Sequence, residues 1–281
     1  MPHWPLPDRP RRRRAPAPGS IALTMGEHVR LEIDDGVAIV QLDRPPANAI
    51  DLQLATELGA AIGEAGERDE VGALVLWGGD RIFAAGADIK AMVDWGPAEV
   101  RPSVDALGAA CDLLSSTPKV SIAAVNGFAL GGGLELALGA DLRYLADDAR
   151  VGMPEITLGV IPGAGGTQRL THLVGPGRTR DLVYSGRLVP ADEAQVMGIA
   201  DRVLPAAETL AAAVETARAF ARGPRAALAA AKAAIAAALA PGGPEGIARE
   251  RQLFVGLFGS ADQREGMRAF LDKREPRFGS G

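Results

Sequence analysis

Glu135 and Glu155 are the residues best suited to chemistry. Two carboxyl groups on one cavity can divide acid and base work when their surroundings push their proton affinities apart. They stand twenty residues apart, too far for one helix face. A helix that ends, crosses back and enters a loop would have to bring them together. On spacing alone two unrelated surface glutamates are the better reading, since glutamates are mostly solvated. The neighbouring glycines add weight. Gly131, Gly132 and Gly133 stand just before Glu135, and Gly163, Gly165 and Gly166 follow Glu155. A glycine has no Cβ to keep a ligand from the backbone. N–H groups near Gly132 and near Ala87 could converge on one oxygen as an oxyanion hole, each donor worth about 3 kcal/mol in a transition state. Glycine-rich turns are common, so the pattern alone does not decide.

The elements that must position these groups read as an α/β chain. Lys119–Val125 is an apolar run with three β-branched residues, suited to a buried strand, and it feeds the glycine triple and then an alanine- and leucine-rich helix towards Asp141. Glu135 falls in that helix's first turn. Val29–Asp34 and Val37–Leu42 alternate apolar and polar around an Asp-Asp-Gly turn, which predicts a hairpin. Asp51 is placed to cap a helix carrying Leu54, Leu58 and Ile62 on one face. Ala73–Trp77 is a second buried strand, Phe83–Lys90 a strand end turning through Gly86, and Asp105–Leu114 a helix. Leu142–Ala146 is a short strand. Pro154 holds Met153 extended and fixes the angle at which Glu155 emerges. Strands alternating with helices imply an α/β core. From Pro205 the strand signal stops. Ala206–Ala221, Arg225–Leu239 and Pro244–Phe258 are helical stretches, and Ser260 with Gln263 resembles a capping box for a last helix to Lys273.

This divides the chain into residues 1–24, an N-terminal extension; 25–204, the α/β core; and 205–281, a helical C-terminal subdomain that packs on the core or on a neighbouring subunit. The extension holds six prolines and five arginines against one aspartate. It fits a disordered tail, an upstream start with Met25 as the natural one, or an organellar presequence, although prolines spoil the amphipathic helix a presequence needs. The whole chain of 281 residues carries a net charge of −5, which argues against general nucleic-acid binding. A lone cysteine, Cys111, permits no internal disulfide and fits a reducing, cytoplasmic setting. No apolar run is long enough to span a membrane. His3, His28 and His172 show no metal-ligand spacing with Cys111, so no metal is expected. Neither a Gly-x-Ser-x-Gly elbow nor a Walker-type loop appears.

Four segments then carry a resemblance: FAAGADIK (83–90), VNGFALGGGLELAL (125–138), PEITLGVIPGAGGTQRL (154–170) and EGMRAFLDKREPRF (265–278). In order and spacing they resemble the crotonase superfamily, closest to enoyl-CoA hydratase, over roughly Val29 to Phe278. The resemblance implies a spiral of ββα units with a C-terminal helical region that drives trimer formation, often paired into hexamers. It implies an acyl-CoA thioester substrate, catalytic roles for Glu135 and Glu155, and an oxyanion hole from the N–H groups of Ala87 and Gly132. It implies coenzyme A contacts at Ala87, Asp88, Ile89, Lys90, Gly132 and Lys273, and no cofactor beyond the coenzyme A of the substrate. Lys273 equally fits a solvated helix-end lysine. Two places depart from the closest hydratases: Leu134 stands where a cysteine is common, and the loop PPANAID (45–51) lacks the lysine that many relatives carry near the adenine. The expected reaction is reversible hydration of a trans-2-enoyl-CoA. An enoyl-CoA isomerase, or a non-catalytic acyl-CoA- or RNA-binding member, is the alternative.

Overall fold

Alternation of apolar and polar side chains builds the first sheet. Val29–Asp34 (β2) and Val37–Leu42 (β3) pair antiparallel around Asp35 and Gly36. Both turn residues have positive φ, 48° and 77°, which matches the strand twist in a two-residue hairpin loop. Ile21–Thr24 (β1) pairs with the free edge of β2. The sequence groups these four residues with the extension before them, but backbone pairing carries them into the sheet. The computed structural model describes residues 21–24, 26–238 and scattered positions between 261 and 278. The expected helix over Pro244–Phe258 lies outside the described residues, as does Lys273; of the expected helix over Ser260–Lys273, Ala261, Glu265, Ala269 and Asp272 are described, and all four are helical.

After the hairpin the chain runs through α1 (Leu52–Glu67), β4 (Ala73–Trp77), α2 (Ile89–Met92), α3 (Pro97–Ser116), β5 (Val120–Val125), β6 (Phe128–Leu130) and α4 (Gly132–Gly139). It continues through β7 (Leu142–Ala146), β8 (Arg150–Gly152), a 3-10 helix (Pro154–Leu158), α5 (Gly166–Ser185), β9 (Val189–Pro190), α6 (Ala191–Met197), β10 (Arg202–Leu204), α7 (Thr209–Ala221) and α8 (Arg225–Ala238). The main sheet has the order β1-β2-β3-β4-β5-β7-β10, antiparallel up to β3 and parallel from there on. A small second sheet, β6-β8-β9, stands beside it. The architecture is α/β, as the sequence implies.

Period-two alternation sorts the core into two layers. Ala38 and Val40 of β3, Leu74 and Leu76 of β4 and Ala123 and Val125 of β5 pack with α1, α3 and α4. Their sequence neighbours Val37, Ile39, Ala73, Val75, Trp77, Ile122 and Ala124 pack with Ala213, Val214, Ala217 and Ala221 of α7. The sequence has the C-terminal helices packing on the core or on a neighbouring subunit. The small side chains of α7 take the first course and cover the second face of the sheet. The Asp51 cap is present: its carboxylate accepts the Leu54 N–H at 2.8 Å. The third helix starts eight residues earlier than the sequence predicts, at Pro97, a residue whose fixed φ suits a first helical position.

Candidate active site

The first glutamate is presented by a forced turn. Gly131, with φ 50° and ψ −121°, joins β6 to α4, a conformation that an L side chain resists. Its N–H donates to the Gly152 carbonyl at 2.9 Å, which ties the turn to β8. Gly132 is the first residue of α4, so its N–H has no intrahelical partner. Glu135 follows within that first turn and is 3% exposed.

Glu135 does not stand alone in its cavity. One carboxylate oxygen, Oε1, accepts the Ala164 N–H at 2.7 Å and the Gly166 N–H at 2.8 Å. These donors come from the glycine-rich start of α5, thirty residues downstream. Burial pushes the proton affinity of Glu135 up, while the Gly166 and Ala164 N–H groups and the Arg169 charge pull it back; the net shift is upward.

The second glutamate comes from the 3-10 helix and reaches the same turn. A Cβ added to Gly131 would lie 2.9 Å from Glu155 Oε1, and one added to Gly132 would lie 3.9 Å from Glu135 Oε2. Both carboxyl groups therefore flank the Gly131–Gly132 backbone. Glu155 Oε2 is buried and has no hydrogen-bond partner among the described residues. Burial raises its pKa to about 7, with the Glu135 charge adding to the rise. The two acids are thus built differently. Glu135 has donors that favour its ionised form, and Glu155 has surroundings that favour a bound proton.

The Ala87 segment lies along the same turn. Ile50 bridges to it, donating to the Gly86 carbonyl at 2.8 Å and accepting the Asp88 N–H at 3.0 Å. In such a parallel bridge the N–H of the middle residue, Ala87, points to the opposite side. It makes no hydrogen bond among the described residues. A Cβ on Gly86 would sit 2.9 Å from the Leu130 carbonyl oxygen, and φ there is +95°. A Cβ on Gly133 would sit 2.3 Å from the Ala84 carbonyl oxygen. Glycine at these two positions lets the 84–87 and 130–133 backbones touch, so the Ala87 and Gly132 N–H groups belong to adjacent backbones. Leu107 of α3 roofs the turn; its Cδ2 would be 2.9 Å from a Cβ on Gly132.

Asp88 and its neighbours form the rim. Asp88 pairs with Arg44 at 2.8 Å, and that guanidinium holds the Asp88 carboxyl below the ordinary carboxylate range despite partial burial. Arg44 also pairs with Asp51 at 3.0 Å and donates to the Ala49 carbonyl at 2.8 Å. Ile89 is half-buried and Lys90 exposed at the start of α2. Among the described residues no group of three or more His, Cys, Asp and Glu side chains could hold a metal ion. No described helix is long and apolar enough to cross a membrane.

The structure brings Glu135, Glu155, Ala87 and Gly132 around one turn, with Asp88, Ile89 and Lys90 at its edge. Sequence reasoning missed the Ala164 and Gly166 donors, the Leu107 roof and the Arg44 clamp. All are contacts between segments distant in the chain, and only the glycine run at 163–166 hinted at the first. Comparison with known proteins adds a second line. The profile described as enoyl-CoA hydratase/isomerase matches residues 32–281. A Mycobacterium bovis protein named as a probable enoyl-CoA hydratase is 41% identical over 253 residues, covering 90% of this chain and 98% of that one. A crotonyl-CoA hydratase of Syntrophomonas wolfei is 38% identical over 255 residues, again covering 90% of this chain and 98% of the relative. The crystal structure of an enoyl-CoA hydratase from Bacillus anthracis superposes with a TM-score of 0.86 at 34% identity, covering 91% of this chain and all of that one.

Proposed function

The chain belongs to the enoyl-CoA hydratase/isomerase family, and from that premise we propose that it adds water reversibly to a trans-2-enoyl-CoA, giving a 3-hydroxyacyl-CoA. The thioester carbonyl sits against the N–H groups of Ala87 and Gly132. These donors stabilise the enolate charge that develops on its oxygen. Glu135 orients a water and takes one of its protons as the oxygen bonds to C3. Glu155 delivers its proton to C2. Both carboxyl groups approach from the same side, so the addition is syn. Each turnover leaves Glu135 protonated and Glu155 ionised, and exchange with solvent resets the pair. The reaction draws on no metal or redox partner, and coenzyme A enters as part of the substrate.

One observation carries this reading: two carboxyl groups flank a single glycine turn, one held by two backbone donors from a distant loop and the other with a buried oxygen, Oε2, that has no partner among the described residues. Moving a double bond within an enoyl chain needs only one acid to shuttle a proton. The second acid selects hydration over isomerisation. Asp88, Ile89 and Lys90 at the rim suit the pantetheine and nucleotide of the coenzyme. Assembly into trimers or hexamers fits the exposed apolar side chains Ile156, Leu158, Val160 and Ile161, which follow Glu155 and are 41%, 44%, 53% and 66% exposed.

Hydration of crotonyl-CoA, followed by loss of the conjugated enoyl absorbance, tests the reading. Glu135→Gln and Glu155→Gln should each lower kcat by about 10²- to 10⁴-fold, the usual worth of a general acid or base, with unchanged circular dichroism. An inactive wild-type enzyme, or wild-type rates in both variants, rejects it.

A further inference from the structure

We propose that Arg169 is a positioning residue that keeps Glu135 ionised, by fixing the backbone that donates to this carboxylate and by placing a positive charge beside it. The proposal rests on the hydration reading above, in which Glu135 is the base.

The geometry begins at Ala164. Its N–H donates to Glu135 Oε1 at 2.7 Å, and its carbonyl accepts from Arg169 Nη1 at 2.7 Å. The residue is therefore gripped from both sides, by the base on one and the guanidinium on the other. The other arm of the guanidinium, Nη2, pairs with Asp112 on α3. Arg169 thus spans from the glycine loop to the helix that roofs the site. Gly165 makes room for it: a Cβ there would fall 2.1 Å from Nη1, and φ is +100°. Lysine could not replace this fork, because one ammonium cannot hold two partners in a fixed plane.

The charges around Glu135 are few. From α3 come Cys111 and Asp112, from α5 Arg169, and from the 3-10 helix Glu155. The Cys111 thiol is pushed up to about 12, chiefly by burial, and stays neutral. The Glu135 charge helps to keep the proton on Glu155. Asp112 is mostly exposed and partly neutralises Arg169. The Arg169 charge favours the Glu135 carboxylate. Its guanidinium is held by the Ala164 carbonyl and by Asp112, so its influence passes through Glu135.

The test is the pH dependence of kcat/KM for crotonyl-CoA hydration in the full-length wild type, Arg169→Gln, Arg169→Lys and Asp112→Asn. The acid limb reports ionisation of the base in the free enzyme. Arg169→Gln should move its midpoint up, because it removes the positive charge that favours the Glu135 carboxylate. The fall should appear in kcat, with KM changed less than about twofold, since Arg169 acts through Glu135. Arg169→Lys should restore part of the shift, because it returns the charge without the fork. Asp112→Asn alters an exposed side chain and leaves the guanidinium on Ala164; it should move the midpoint down. If Arg169→Gln does not fold, the Asp112→Asn shift decides alone. An acid limb that stays fixed in the folded variants overturns the proposal, even where kcat falls. A wild-type enzyme without hydration activity at any pH would instead refute the functional reading itself.

Discussion

At the residue scale, the two glutamates show what a functional group costs its fold. Glu155 has a pKa of about 7 in the folded chain against 4.5 for an unperturbed glutamate. Between those values the folded state binds more protons than the unfolded one, so stability falls as pH rises from about 4.5 to about 7. Above that window the full cost of a partly buried carboxylate with one unpartnered oxygen is present. A neutral amide does not bear it. Glu155→Gln should therefore melt higher than the wild type at pH 8 and at the same temperature near pH 4.5, while hydration is lost. Thermal melts at the two pH values decide this. A variant no more stable than wild type at pH 8 would mean that Glu155 is better solvated than its burial implies. The same comparison on Glu135 should give a smaller gain, because its amide loses two charge-assisted bonds to Ala164 and Gly166.

At the scale of elements, α1 is held to the hairpin by one carboxylate. Glu57, 9% exposed, accepts the N–H groups of Glu27 at 3.0 Å, His28 at 2.7 Å and Val29 at 3.0 Å, and the Gln53 amide at 2.9 Å. Burial pushes its proton affinity up, but the bonds from Gln53, His28 and Glu27 together outweigh it and the net shift is downward. A depressed carboxylate contributes stability that is complete above 4.5 and is lost as pH falls through the folded value. Glu57→Gln should cost about 1.5–3 kcal/mol at pH 7, the scale of hydrogen bonds to a charged group, and the gap should close in acid. Urea titrations at pH 7 and pH 3.5 measure it. Nothing near Glu57 in the chain announces this clamp, whereas the Asp51 cap six residues earlier was legible. The difference is local against distant partners. The hairpin, α1, β4, β5 and α4 show in the sequence because period and capping are properties of adjacent residues. The strands β6, β8, β9 and β10 have only two or three residues each, too few for a period to register. The roles of the acid pair came from resemblance; spacing alone left them open.

At the scale of the molecule, the backbone around Ala87 and Gly132 is assembled by loops at the carboxyl ends of three adjacent parallel strands, β3, β4 and β5, where α/β sheets place ligands. The loop after β3 supplies Asn48, which is fully buried with φ 49°. Its amide nitrogen donates to the Gly78 carbonyl at 2.7 Å and the Phe83 carbonyl at 2.9 Å, in the loop after β4. That loop is sewn in turn to the one after β5: the Phe83 and Ala84 N–H groups donate to the Phe128 carbonyl at 3.2 and 3.0 Å, and the Leu130 N–H donates to the Ala84 carbonyl at 3.1 Å. Backbone held so firmly cannot retreat from an intruding atom. Gly133 tests this. It lies inside α4, where alanine is the better helix former by about 1 kcal/mol, so local propensity predicts that Gly133→Ala stabilises the chain. The packing predicts the reverse. The new methyl would meet the Ala84 carbonyl oxygen at 2.3 Å and the Ala84 Cβ at 2.9 Å, and Ala84 is bridged to Ala129 and cannot move aside. The start of α4 must then lift away from the 84–87 backbone, which separates the Gly132 and Ala87 amides. Loss of one such donor is worth about 10²- to 10³-fold in kcat. Gly133→Ala should therefore lower both the melting temperature and kcat, and a folded variant of unchanged kcat would show that these two backbones do not work as a pair.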